Sequence, residues 1–278
     1  MVTRTSVLML LGRVFVQAFL VALAIVVIYP LLWMLLNGVK SNAELFASPF
    51  ALPETWRWEN YATAWNRGVG DYLTTSVLVT VSSTVATVMI SAWAAYGLTR
   101  VKIPLNRTIL ILILAGLMLA PTVALIPLVK MFQALGLYNS FWALLILYTA
   151  FRVPFTTFLI RAYMMDLPLE VDEAAAVDGA SKARAFWQVI LPMCRPIIIS
   201  TILLNVLFTW NEYLFAMIFT SGGALQTLPV GLTNLMAKHG TDYPVVFAGM
   251  AIAAVPVIVL FFAGQRYFIR GLADGMGK

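Results

Sequence analysis

The side chains that most often do chemistry are scarce in this chain. Cys194 is the only cysteine and His239 the only histidine, which excludes an intramolecular disulfide and any multi-cysteine metal site and leaves histidine catalysis little to draw on. No catalytic residue and no metal ligand is expected. What stands out instead is polarity inside apolar runs. Thr201, Asn205, Thr209 and Glu212 recur at helical spacing and share one face. Asn205 and Glu212 must face protein or water rather than lipid, so Asn205, Thr209, Asn211 and Glu212 are candidates for lining a polar passage. Thr80, Ser83 or Thr84, Thr87 and Ser91 form a second stripe, for which helix packing is an equal explanation. Arg152 sits near the centre of another apolar run, where a basic side chain costs about 2.5 to 3.5 kcal/mol on insertion scales. An ion pair that fixes packing, within this chain or with a partner subunit, is the expectation for it. Cys194, between Met193 and Arg195, reads as an unreactive interfacial cysteine.

One long polar stretch, 166–196, interrupts the apolar second half. Pro168 suits a first helical position, and Glu170, Asp172 and Glu173 place negative charge at the positive end of the helix dipole. Ala174, Ala175 and Ala176 favour helix, and Gly179 suits a turn. Ser181 can cap a second helix, which Pro192 and Pro196 limit. The expectation is a helix, a bend and a helix. Leu169, Ala176 and Ala180, with Glu173 beside them, form a small-residue surface that another protein could approach closely.

These residues need positioning elements, and composition says what they are. Of 278 residues, 62% are apolar and 11% charged, less than half the share of about 25% in a soluble domain. Mean hydropathy is +0.91. The chain therefore reads as all-α and polytopic in a membrane, with six transmembrane helices near 14–36, 72–96, 108–128, 141–163, 197–219 and 245–267 in a single transmembrane domain. The first run is too long for a signal-peptide core. The net charge of +6 comes from thinly scattered basic residues, so it speaks for orientation and not for nucleic acid. With the N-terminus inside, Arg4, Arg13, Arg100, Lys102, Arg107, Arg161, Lys182, Arg184, Arg195, Arg266, Arg270 and Lys278 fall in the cytoplasm, against Lys40, Arg57, Arg67, Lys130 and Lys238 outside. Both termini and the 166–196 stretch are expected on the cytoplasmic side. The first outer segment, with Pro49, Pro53, Trp56, Trp58, Tyr61 and Trp65, reads as an ordered loop carrying an aromatic belt at the lipid surface. Pro121, Pro127, Pro154 and Pro256 permit kinks.

Glu173-Ala174-Ala175, Asp178-Gly179-Ala180-Ser181 and Leu191-Pro192 together resemble the EAA loop of importer permeases in ATP-binding-cassette transporters. Trp210-Asn211-Glu212, Thr227 to Leu232, and Gln265 to Phe268 with Gly271 are similar to the carbohydrate-import branch, within it the shorter six-span subunit of the maltose type, and cover essentially the whole chain. The resemblance implies the type I ABC importer permease architecture. It makes 166–196 a coupling segment, with Glu173, Ala174, Ala175, Asp178, Gly179 and Ser181 meeting a groove of an ATPase. The outer stretch with Gly222, Gly223 and Pro229 would be a loop probing a solute-binding protein, and the tail after Gly271 would reach between the ATPase subunits. The implied partners are a second, different permease subunit, an ATPase dimer that binds the ATP and Mg, and an extracytoplasmic solute-binding protein, with no cofactor in this chain. Localisation in a bacterial-type cytoplasmic (inner) membrane follows.

The residues agree in one respect: no GxxxxGK[ST] phosphate loop is present, so energy must come from another subunit or an ion gradient. The leading expectation is half of the pathway of an ATP-driven importer of a sugar or related polyhydroxy solute. An ion-coupled secondary transporter using Glu212 and Arg152 is the alternative. An intramembrane enzyme has the least behind it, because Glu212 has no second carboxylate, histidine or reactive cysteine placed with it in its span.

Overall fold

A computed structural model describes residues 4–101, 103–221, 225–239 and 242–276, with side chains over 12–101, 103–221, 225–237 and 242–264. All regular elements among the described residues are helical. They are α1 (Arg4–Asn37), α2 (Asn42–Ala47), α3 (Glu59–Ala64), α4 (Gly70–Arg100), α5 (Asn106–Ala115), α6 (Leu125–Ala134), α7 (Phe141–Met165), α8 (Glu170–Val177), α9 (Lys182–Ala185), α10 (Leu191–Met193), α11 (Arg195–Trp210), α12 (Leu214–Phe219), α13 (Leu228–His239) and α14 (Tyr243–Met276). Among the described residues, Gly12–Asn37, Phe141–Met165 and Tyr243–Gly264 are helical stretches long and apolar enough to cross a membrane, as is the run Glu59–Arg100, which is interrupted by non-helical geometry at Gly68.

The other two expected spans are not single helices. The run 108–128 breaks after α5 into a 3₁₀ turn, Gly116–Met118, and a non-helical stretch before α6. Pro121 lies in that stretch and lacks an N–H to continue the ladder. The run 197–219 breaks between Trp210 and Leu214, so α12 is a separate short helix. Hydropathy does not register such breaks, because the residues around them stay apolar.

The chain forms two compact units, residues 1–69 with 232–254 and residues 70–231 with 255–278. In the first, the side chains of α1 from residue 12 to 32 are exposed on every side, as suits a helix meant for hydrocarbon or another subunit. The ordered segment after α1 is held by a capping box. Ser41 Oγ accepts from the Glu44 N–H at 3.2 Å, and Glu44 Oε2 accepts from the Ser41 N–H at 2.7 Å. Glu44 Oε1 also accepts the Glu54 and Thr55 N–H groups, each at 3.2 Å. The Ser41 backbone N–H, chief among these donors, holds the Glu44 carboxyl below its usual range. Lys40 is buried and donates to the carbonyls of Ser48 and Pro49. Trp56 and Trp58 stack at 5.9 Å and stand exposed, consistent with the expected interfacial belt.

The second unit is organised by α4, α7 and α11 packed side by side. The polar stripe of α4 is its packing face: Thr80, Ser83, Thr84, Thr87 and Ser91 are all buried. Ser83 Oγ donates to its own helix at the Val79 carbonyl, and Ser91 Oγ crosses to the Val153 carbonyl of α7 at 3.2 Å. Small hydroxyl side chains let the backbones approach, and those of Ser83 and Ser91 satisfy their own donors.

Candidate functional site

Two regions of the second unit receive the residues singled out in the sequence. The first is a cavity of about 400 Å³ beside α7, α11 and α12, bordered by the broken segment at Gly116, Leu117, Leu119, Pro121 and Thr122. Its polar lining is Thr122, Tyr148, Arg152, Thr209 and Glu212, and Phe151, Phe208 and Phe215 supply rings. Thr209 and Glu212 thus reach the cavity as expected. Asn205 is one turn away and buried. Its Nδ2 donates to Thr156 Oγ1 at 3.0 Å and to the Thr201 carbonyl, and its Oδ1 accepts from Arg152 Nε at 3.1 Å. Asn211 does not line the cavity; its Nδ2 donates back to the Leu207 carbonyl at the end of α11.

One expectation is corrected here. Glu212 is not the last rung of a helical stripe, because α11 ends at Trp210. It sits in the break and closes the next helix: Oε1 accepts from the Phe215 N–H at 2.8 Å, and Oε2 from the Ala216 N–H at 3.1 Å and from Tyr148 Oη at 2.7 Å. The carboxylate is therefore engaged by three donors. Arg152 has no ion pair among the described residues. Its guanidinium carbon lies 3.8 Å from the Phe208 ring centroid and 5.4 Å from that of Phe155, a cation–π arrangement worth about 0.5 to 2 kcal/mol. The stripe could not reveal Tyr148, Phe151, Phe208 and Phe215, because aromatics at helical spacing are ordinary core residues until a break opens space beside them.

The second region is the polar segment after α7. α8 begins at Glu170, so Pro168 precedes the helix and does not start it. Glu173, Ala174, Ala176 and Asp178 are exposed, as is Val177. Ala175 is the one buried residue of α8 and points inward, so the alanine run is not wholly on offer to a partner. Gly179 turns the chain at φ +74° with open space around it, a conformation that penalises any side chain. Ser181 caps α9 as expected, accepting from the Arg184 N–H at 3.3 Å. A π-turn, Phe186–Ile190, then leads to α10, and the helical run Lys182–Met193 meets α11 at 77°.

This segment is seated on an aromatic cluster. Phe186 is buried against Trp93 and Tyr96 of α4, ring centroids 4.7 and 5.1 Å away. Cys194 is also fully buried in this cluster, with Ile160, Met164 and Ile190, so it is a core residue and not an interfacial one. Sequence reasoning missed Arg100. Its Nη2 donates to the carbonyls of Met164 at 2.8 Å and Leu167 at 2.7 Å, and its Nη1 lies 3.4 Å from Asp172 Oδ2. Among sequence signals it was one basic residue of many at a span end.

Gly222 and Gly223 lie outside the described residues, as do the side chains of the tail after Gly264. Pro229 is the second residue of α13, so the outer stretch expected as a loop contains a 12-residue helix.

Comparison with known proteins agrees with this architecture. Residues 87–274 match the family described as binding-protein-dependent transport system inner membrane component. The chain is 43% identical over 268 residues to the "Probable ABC transporter permease protein YurM" of Bacillus subtilis (strain 168), covering 96% of this chain and 89% of that one. It is 36% identical to the diacetylchitobiose uptake system permease protein NgcG of Streptomyces coelicolor, covering 93% and 87%. It is 30% identical to the trehalose/maltose transport system permease protein MalG of Thermococcus litoralis, covering 93% and 94%. In fold it resembles a chain in the crystal structure of a bacterial ABC transporter involved in the import of alginate, with a TM-score of 0.82 at 22% identity over 96% of this chain and 98% of that one. A helical, multi-pass permease of this kind carries no catalytic centre of its own, and the ion-coupled alternative gives way to the family match. The chain belongs to the binding-protein-dependent transport system inner membrane component family and is a permease subunit of an ABC importer.

Proposed function

We propose that this subunit forms half of the pathway for a sugar or related polyhydroxy solute and receives its motion through the segment 166–196. The observation that carries the coupling reading is α8, which presents Glu173, Ala174, Ala176 and Asp178 outward while Gly179 and Ser181 shape the turn behind it. In this reading a cytoplasmic ATPase dimer, which binds ATP and Mg, accepts α8 in a groove. A different permease subunit supplies the other half of the pathway, and an extracytoplasmic binding protein delivers solute, partly through the stretch containing Gly222, Gly223 and Pro229. Both termini lie in the cytoplasm, as the distribution of basic residues supports.

The solute class is supported by relatives named for diacetylchitobiose and for trehalose/maltose transport. Thr209, with the aromatic rings around it, offers the cavity's solute-facing surface. Asn205 and Glu212 act behind it, through Arg152 and through α12 respectively. The test is ATP-driven sugar uptake by the complex in proteoliposomes. Glu173→Lys is expected to abolish uptake with insertion and subunit stoichiometry unchanged; normal uptake would remove α8 from the coupling role.

A further inference from the structure

We propose that Arg100 is a positioning residue that ties α8 to the ends of α4 and α7, so that displacement of the coupling helix is passed to the spans and not absorbed at the 166–169 junction. The inference rests on the coupling reading of α8.

Arg100 is the last residue of α4, and its side chain is 4% exposed. A guanidinium presents several N–H donors in a rigid plane, and here one group spans two elements. Its Nη2 caps α7, where the last carbonyls of a helix have no intrahelical donor, by donating to Met164, and it also reaches the Leu167 carbonyl of the connection to α8. Its Nη1 faces Asp172 in the first turn of α8 at 3.4 Å. The end of one span, the end of another and the coupling helix therefore meet on a single planar cation.

Besides Arg100, α8 is held by Val171, half-buried against the cluster that contains Phe186. Its one buried residue is Ala175, which contributes little apolar area, and the opposite end of the helix terminates at Gly179, with no neighbour within 4 Å of where a Cβ would be. Beyond Gly179 the hold is Phe186 in the aromatic cluster and Tyr96 Oη donating to the Lys182 carbonyl at 3.2 Å. The half of the segment that carries Glu173 is thus tied to the span ends by the Arg100 ion pair with Asp172 and its bond to the Leu167 carbonyl, together with the packing of Val171, and the other half by Phe186 and the Tyr96 bond. A lever of this form transmits force only while the bonds at its base keep their geometry. A lysine keeps the charge but, as a compact point charge, cannot reproduce the planar fork.

The experiment uses the assembled complex with its ATPase and binding protein in proteoliposomes and reads solute transported per ATP hydrolysed. Arg100→Ala is expected to lower that ratio by about tenfold, within the span of coupling free energies carried by contact networks, while ATP hydrolysis continues. Arg100→Lys should fall between it and the parent. Asp172→Asn leaves both carbonyl contacts in place, so α7 keeps its cap and the variant isolates the tie to α8; a smaller drop in the same ratio is expected. A ratio unchanged in Asp172→Asn and in Arg100→Lys overturns the proposal. So does a loss in which uptake and hydrolysis fall equally, which is what damaged assembly alone produces. If Glu173→Lys abolishes uptake while these variants stay coupled, only the Arg100 tie fails; if Glu173→Lys is also silent, the coupling reading of α8 fails with it.

Discussion

The three donors on Glu212 lead to a prediction that separates a structural carboxylate from one that handles solute. Tyr148→Phe removes a 2.7 Å hydrogen bond and leaves Glu212 with the N–H groups of Phe215 and Ala216. A hydrogen bond to a charged group contributes about 1.5 to 3 kcal/mol, and Tyr148 is 4% exposed, so water cannot readily replace it. A destabilisation of about 2 kcal/mol is expected. Glu212→Ala removes all three acceptor contacts and leaves a phenol and two backbone donors unpaired. Summed at about 1 to 2 kcal/mol each for a partly exposed site, this gives about 3 to 6 kcal/mol, enough to loosen α12 from α7. The assay is thermal denaturation of the detergent-solubilised complex, combined with a cycle of Tyr148→Phe, Glu212→Gln and the double variant. Contacting residues of this kind should show a coupling of about 1 to 3 kcal/mol. Additive effects would refute the argument. So would a Glu212→Gln variant of parental stability that has lost uptake, since that result would make the carboxylate a solute contact and not the closure of α12.

Two further outcomes follow from local geometry. Gly179→Ala should cost about 1 to 2 kcal/mol through backbone strain alone, since φ is +74° and the space around it is open; Gly179→Asn should cost less, and uptake rates of the two variants check the order. The Glu44 carboxyl is held below its usual value by the Ser41 N–H first, then by the Ser41 hydroxyl and the N–H groups of Thr55 and Glu54, with partial desolvation opposing. A group whose folded pKa is depressed stabilises above its unfolded pKa and loses that contribution as pH falls through the folded one. Protease resistance of the 38–58 segment should therefore decline on acidification below about pH 4.5, and Glu44→Gln should be less resistant at neutral pH and lose that acid dependence.

Much of the architecture was legible because it depends on transfer free energy, which is a local sum. Runs of about 20 apolar residues, the polar interruption at 166–196, the Ser181 cap and the Gly179 turn each need only neighbours in sequence. The breaks were not legible. Pro121 marks a possible kink, but whether a span bends or stops depends on what fills the space beside it. At 211–213 no proline occurs at all, and the break exists because Glu212 finds Tyr148 and the N–H groups of α12. Arg152 illustrates the same limit, since a charge in an apolar run predicts a partner but not which; the partners are Asn205 and the face of Phe208.

The sequence by itself determined that this is a helical membrane protein with a polar segment at 166–196 that resembles those of importer permeases, because hydropathy and the Glu173-Ala174-Ala175 to Leu191-Pro192 array are written along the chain. Only the tertiary structure decided how the polar residues are used. It turned the α4 stripe into a packing face, Glu212 into a cap, Ala175 inward, and Arg100 into the junction of α4, α7 and α8. The reason is physical: a polar side chain in a low-dielectric interior takes whatever donor or acceptor the fold brings within reach, and at separations of 64 and 67 residues no local pattern records that choice.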